Sequence, residues 1–206
     1  MRYGSGAMNK FEYAATLAVS LAYLVLRQQD AVGCLAFDES PRKIVPQRSK
    51  RNHLDSIIQA LEVSEPAHKT DIHQIIRKAA ETYPRRGIVA VVSDLLVDRD
   101  WLARVLKLLR SLGHDVLVFH VLDDDELDFP FNGPTRFEGL EVPLHLKCNP
   151  RALRVGYLAA LGAYLEEVRR ACSGQNVDYS LVRTSQPLGT ALATFLHHRL
   201  ATQNRT

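Results

Sequence analysis

Disulfide chemistry is the first thing this 206-residue chain lacks. Its three cysteines, Cys34, Cys148 and Cys172, are odd in number, widely spaced and free of any C-x-x-C pair. That excludes a disulfide-stapled scaffold. It predicts reduced thiols in a cytoplasmic protein, two of them in apolar surroundings where cysteine packs as a small hydrophobe. Long apolar runs are missing too. The stretch Ala14–Leu26 is interrupted by Thr16 and Ser20 and is shorter than the ~20 residues of a spanning helix, so it reads as a buried amphipathic helix, not a signal peptide or membrane span. Charge of one sign is nearly balanced: 26 Lys and Arg against 23 Asp and Glu give a net +3, too slight a surplus to predict a nucleic-acid partner. No G-x-x-x-x-G-K-[ST] occurs, which argues against a P-loop nucleotidase, and no G-x-S-x-G, which removes the α/β-hydrolase elbow. Gly4-Ser5-Gly6-Ala7 has part of a dinucleotide loop, without the strand before it or the third glycine.

What is present alternates between strands and helices. Ile88–Asp94, IVAVVSD, is an apolar, mostly β-branched run that stops on a carboxylate. It reads as a central strand buried on both faces, with Asp94 at the carboxyl end, where ligands of open α/β sheets sit. Before it, Lys10–Arg27 carries Phe11, Ala14, Leu17, Ala18, Leu21, Ala22, Leu24 and Val25 at helical spacing. Asp30–Phe37 is a strand ending at Asp38, and Lys43-Ile44-Val45 an edge strand between two prolines. A helix runs from Asn52 or His53 to about Val63, and Thr70 caps another that Pro84 stops.

After it, a helix over Asp100–Leu112 ends at Gly113, a left-handed cap. Strand Asp115–Leu122 leads into an acidic run. Thr135–Phe137 and Glu141–Leu146 form a hairpin, an insertion around 129–149. A long helix over Pro150–Arg170, a strand over Asp178–Arg183 and a helix from Pro187 to Leu200 complete the chain. No internal repeat or low-complexity linker interrupts it. The expectation is one α/β domain over 1–206, a doubly wound, mostly parallel sheet with helices on both faces.

Few side-chain groupings carry chemistry. His197-His198 lacks a carboxylate or cysteine at metal spacing and reads as a solvated helix face. The basic run Arg42, Lys43, Arg48, Lys50, Arg51 has no interleaved aromatics and reads as a solvated edge. The acidic run Asp123, Asp124, Asp125, Glu126, Asp128 lacks the glycine and distal glutamate of a calcium loop. One constellation survives. Thr70 and Asp94 belong on the same edge of a doubly wound sheet, where a hydroxyl and a carboxylate suit magnesium or manganese. Each also has a plain structural role, as a helix cap and a loop carboxylate.

Longer stretches carry a resemblance. T-D-I at 70–72 and V-V-S-D at 91–94, in this order of elements, resemble a von Willebrand factor A-type domain. Within that fold the chain is similar to the bacterial family called domain of unknown function 58. The matching text includes YGSGAMNKFEYA at 3–14, LAYLVLRQQDAVGCLAFD at 21–38, VVSDLLVD at 91–98 and GHDVLVFHVLDDDELDFPF at 113–131. It continues with TRFEGLE at 135–141, Tyr157, Cys172, DYSLVRTSQPL at 178–188 and the F-L-x-x-R at 195–199.

The resemblance implies a metal-ion-dependent adhesion site built from a D-x-S-x-S segment, a threonine and an aspartate. Thr70 and Asp94 match the last two, while the D-x-S-x-S segment would sit immediately before Met1. The expectation is that either the protein begins upstream and Met1 is a misassigned or internal start, or the chain is an N-terminally truncated member; in both cases the first, central strand is missing from these residues. The strands at 30–37 and 88–93 then either close on each other imperfectly or leave a gap, and metal binding is weak or absent, with magnesium or manganese held only in a full-length form. The resemblance further implies a non-catalytic protein-interaction module that accompanies a MoxR-type AAA+ ATPase in complex assembly. The competing expectation is a metal-assisted hydrolase using Asp94 and Asp38.

Overall fold

A computed structural model describes residues 1–37, 41–62, 79, 82–83, 86–96, 99–139 and 145–193. The chain opens with α1 (Lys10–Arg27), started by a capping box in which the Asn9 side chain accepts from the Glu12 amide and Glu12 accepts from the Asn9 amide. That reciprocal pairing satisfies two of the amides a helix start leaves without partners. β1 (Val32–Phe37) and β2 (Pro41–Arg48) pair antiparallel, and α2 (His53–Glu62) follows. β2 is an edge strand, as its prolines and the exposed Lys43 suggest.

β3 (Ile88–Ser93), α3 (Arg99–Ser111) and β4 (Asp115–Leu122) follow one another as strand, helix and parallel strand, and β3 and β4 pair in register from Ile88 with Asp115 to Ser93 with His120. Gly113 takes φ +83° between α3 and β4, the left-handed cap expected there. A Cβ at that position would also come within 2.7 Å of Arg86 Nε. The short α4 (Asp124–Asp128) leads to the hairpin β5 (Thr135–Glu138) and β6 (His145–Cys148). Of the second strand expected over Glu141–Leu146, residues 141–144 lie outside the described residues, and Leu146 stands opposite Phe137. α5 (Pro150–Ser173), with Asn149 as cap and proline in its first turn, and β7 (Asp178–Arg183) complete the order; residues 188–193 are helical.

The sheet order corrects one expectation. β4, not β3, is the middle strand: the three-stranded parallel sheet runs β3-β4-β7. β4 is buried along almost its whole length, whereas Ile88 of β3 is 66% exposed. An apolar run marks a strand that sheet neighbours and helices can cover on both faces. β3 has a ladder partner on one side only among the described residues, so one flank opens.

Helices cover both faces of this sheet. Val116 and Val118 of β4 pack with Leu102, Val105, Leu106 and Leu109 of α3 and with Val168 and Cys172 of α5. Leu117, Phe119 and Val121, on the opposite face, pack with Tyr13, Ala14 and Leu17 of α1. The alternation along β4 decides which helix meets which residue. β1 and β2 form a separate two-stranded sheet, yet Leu35 and Phe37 of β1 reach the same α3–α5 core as Val89 and Val91 of β3. Ala22 of α1 meets Val45 and Ile57 beside Val32 and Cys34. Helix α1 therefore spans both sheets, although β1 and β3 share no ladder.

Cys34, Cys148 and Cys172 are free thiols. Burial pushes Cys34 up to about 11 and Cys172 up to about 12, which keeps both protonated and unreactive at neutral pH.

Candidate functional site

Because β3, β4 and β7 are parallel, their carboxyl ends share one edge. Asp94, Asp123 and Thr184 follow the three strands there. The N-terminal segment crosses the same edge and its groups meet the acids one by one. The Met1 ammonium lies 2.9 Å from Asp94 Oδ2, and Lys10 Nζ lies 3.2 Å from the same oxygen and 2.7 Å from Glu126 Oε1. Tyr3 donates its hydroxyl to Asp125 Oδ2 at 2.7 Å.

Asp94 is buried. Burial alone would raise its pKa; the combined attraction of the Lys10 and Met1 ammonium groups overrides that, and the carboxyl titrates below its usual value. Asp123 is fully buried and its oxygens accept from Ser5 N, Ser5 Oγ, Asp125 N and Thr184 Oγ1 at 2.6–3.0 Å. Desolvation pushes its pKa up, but the bonds from Ser5 and Thr184, with that from the Asp125 amide, hold it below the usual range. It also caps α4 jointly with Glu126. The acidic run is thus consumed in folding: Arg183 clamps Asp124 and Asp128 at 2.9 and 2.8 Å.

A second layer lies beneath Asp94. His120, fully buried in β4, contacts the Asp94 carbonyl oxygen through Nε2 at 2.9 Å and the Tyr179 hydroxyl through Nδ1 at 2.9 Å. A carbonyl can only accept, so Nε2 carries the proton and Nδ1 accepts from Tyr179. Burial pushes the His120 pKa down to about 4, so the ring is neutral at pH 7. Leu95, the next residue after Asp94, takes φ +49°, uncommon for a residue with a Cβ. It is held there from three sides: its side chain is buried, its amide donates to Ser93 Oγ at 3.1 Å, and Tyr164 donates its hydroxyl to its carbonyl. The loop that presents Asp94 is therefore rigidly supported.

Of the two residues expected to share this edge, Asp94 stands on it. Thr70, the helix it was expected to cap, and Asp38 lie outside the described residues. Lys10, Ser5, Asp123 and His120 were not singled out by sequence reasoning as site residues. Signals existed for two of them. Lys10 falls on the buried stripe of α1, three and four residues before Tyr13 and Ala14, and His120 interrupts a strand otherwise apolar from Val116 to Leu122.

Magnesium and manganese need several oxygen donors free to turn to the ion. Here the Asp94 carboxylate already faces two ammonium groups and Asp123 is saturated by hydrogen bonds. Among the described residues no three His, Cys, Asp or Glu side chains are grouped to hold a metal ion. The described donors on this edge do not fit a divalent cation. Nor is any described helix long and apolar enough to cross a membrane.

The model of a family described as a protein of unknown function, DUF58, matches residues 1–164. Uncharacterised proteins of Mycobacterium tuberculosis and Mycobacterium bovis are each 23% identical over 204 residues, covering 96% of this chain and 63% of their own length. The chain thus spans less than two thirds of these relatives. Among solved structures, the conserved hypothetical protein BatB of Bacteroides thetaiotaomicron aligns with a TM-score of 0.54 at 17% identity, over 97% of this chain and 91% of that one. An aerotolerance-related membrane protein of Bacteroides fragilis aligns with a TM-score of 0.56 at 20% identity, over 91% and 87%. Identities this low speak for a shared fold alone.

Proposed function

Because the chain belongs to the DUF58 family, we propose that it is a von Willebrand A-like, non-catalytic interaction module of the cytoplasm, working with a MoxR-type AAA+ ATPase in complex assembly or maturation. The observation that carries this reading is the strand-end edge: its carboxylates are committed to internal pairs, and its loop is braced for shape by His120 and Tyr164. Acid–base or nucleophilic work needs a group free to exchange a proton or attack a substrate. Leu96, 64% exposed two residues after Asp94, offers apolar surface beside that edge, as a protein contact requires.

Among the described residues β1 and β3 share no ladder, while α1 packs against both sheets.

Binding of the purified chain to the purified MoxR-type ATPase of its source organism, measured calorimetrically with ATP present, tests the reading. The expected result is a saturable complex that Leu96→Asp weakens at least tenfold, about 1.4 kcal/mol, with no turnover of phosphate or carboxylate esters. Ester turnover that disappears in Asp94→Ala would instead establish a hydrolase.

A further inference from the structure

Lys10 is only 2% exposed, and a lysine buried so deeply keeps its charge only when it is paired. Its two partners come from different elements: Glu126 on α4 at 2.7 Å and Asp94 after β3 at 3.2 Å. The ammonium therefore bridges two carboxylates that the chain brings together from positions far apart in sequence. We propose that Lys10 Nζ is the resident cation of the strand-end edge, tethered through α1, and that in this chain it joins Asp94 to Glu126 in place of a divalent metal ion.

Space favours this assignment. A divalent ion would need Asp94 oxygen at about 2.1 Å in near-octahedral surroundings, where the lysine ammonium already crowds Oδ2. Asp123 cannot help without giving up bonds to Ser5 and Thr184. Glu126 cannot turn freely either, since its other oxygen, Oε2, accepts from the Asp123 amide at 2.9 Å. The consequence is a preformed edge whose geometry does not wait for metal. This rests on the proposal that the same edge serves the module; it makes partner binding insensitive to chelators.

The test adds Mg²⁺ or Mn²⁺ to the EDTA-treated full chain, following the thermal midpoint and, by electron paramagnetic resonance, the free Mn²⁺. Wild type is expected to take up no Mn²⁺ saturably and to keep its midpoint at millimolar metal. Lys10→Met removes the cation that the two carboxylates share, so its midpoint falls by on the order of 10 °C; Mn²⁺ is then taken up saturably and restores part of the loss. Adding Asp94→Asn to Lys10→Met abolishes that uptake. If Lys10→Met does not fold, Asp94→Asn alone decides: its midpoint must drop equally in EDTA and in Mn²⁺. Saturable Mn²⁺ uptake by wild type, Lys10→Met folded but blind to Mn²⁺, or an Asp94→Asn loss confined to Mn²⁺ would each overturn the assignment. Because no partner is present, failure here leaves the ATPase reading standing, and absence of ATPase binding leaves Lys10 in its role.

Discussion

His120 shows how one side chain can set the conditions under which a site keeps its shape. The neutral ring joins the Tyr179 hydroxyl to the Asp94 carbonyl, and burial holds its pKa at about 4 against 6.5 for a free imidazole. Between those two values the unfolded chain binds a proton that the folded chain refuses, so stability rises with pH across that window and is lost as pH falls from 6.5 towards 4. Fully developed, the loss is roughly 3 kcal/mol. Asp94 and Asp123 act in the same sense lower down: their depressed folded pKa values give stability that is present above their unfolded value and lost as pH falls through the folded one. Urea unfolding at pH 7 and pH 4.5 reads the effect. His120→Gln should flatten the slope between 6.5 and 4 whatever it costs at pH 7; an unchanged slope would assign the loss to other groups.

At the scale of elements, β3 departs most from its sequence. Its six residues read as a strand flanked by neighbours, yet it pairs with β4 alone among the described residues and leaves Ile88 in solvent. Natural edge strands are blunted by lysine, proline or a bulge, and IVAVVS has none of these. Ile88→Lys should therefore reduce concentration-dependent light scattering, while changing the unfolding free energy by no more than about 0.5 kcal/mol, as for a surface substitution. Scattering that stays the same would mean that the association surface is elsewhere. α1 is the contrasting case. Its capping box, its stripe of Tyr13, Ala14 and Leu17, and its basic last residue Arg27 all agree with the helix that forms.

For the molecule as a whole, the division into β1–β2 and β3–β4–β7 predicts uneven stability. β4 is paired on both edges and covered on both faces. The β1–β2 pair has one ladder among the described residues and shares its core with α1 and α2. Native-state hydrogen exchange should show β4 amides opening only with global unfolding, and β1–β2 amides opening at a free energy at least about 1 kcal/mol lower. Equal protection would mean that the two sheets unfold as one unit.

The fold was legible to the extent that it is local. Helical spacing in Lys10–Arg27, the glycine after α3, Pro150 at the start of α5 and the alternation of strands with helices are written within short windows, and the elements follow them. The site was legible only at Asp94, because a carboxylate at the end of an apolar strand is a local pattern. What surrounds it is not local: Lys10 meets Glu126 across 116 positions, Ser5 meets Asp123 across 118, and Tyr164 reaches Leu95 across 69. By itself the sequence determined an α/β chain of the DUF58 family with an acid at a strand end. Only the tertiary structure decided which strand is central and that the acid faces an ammonium, because sheet order and buried charge pairing depend on which distant segments the core brings together.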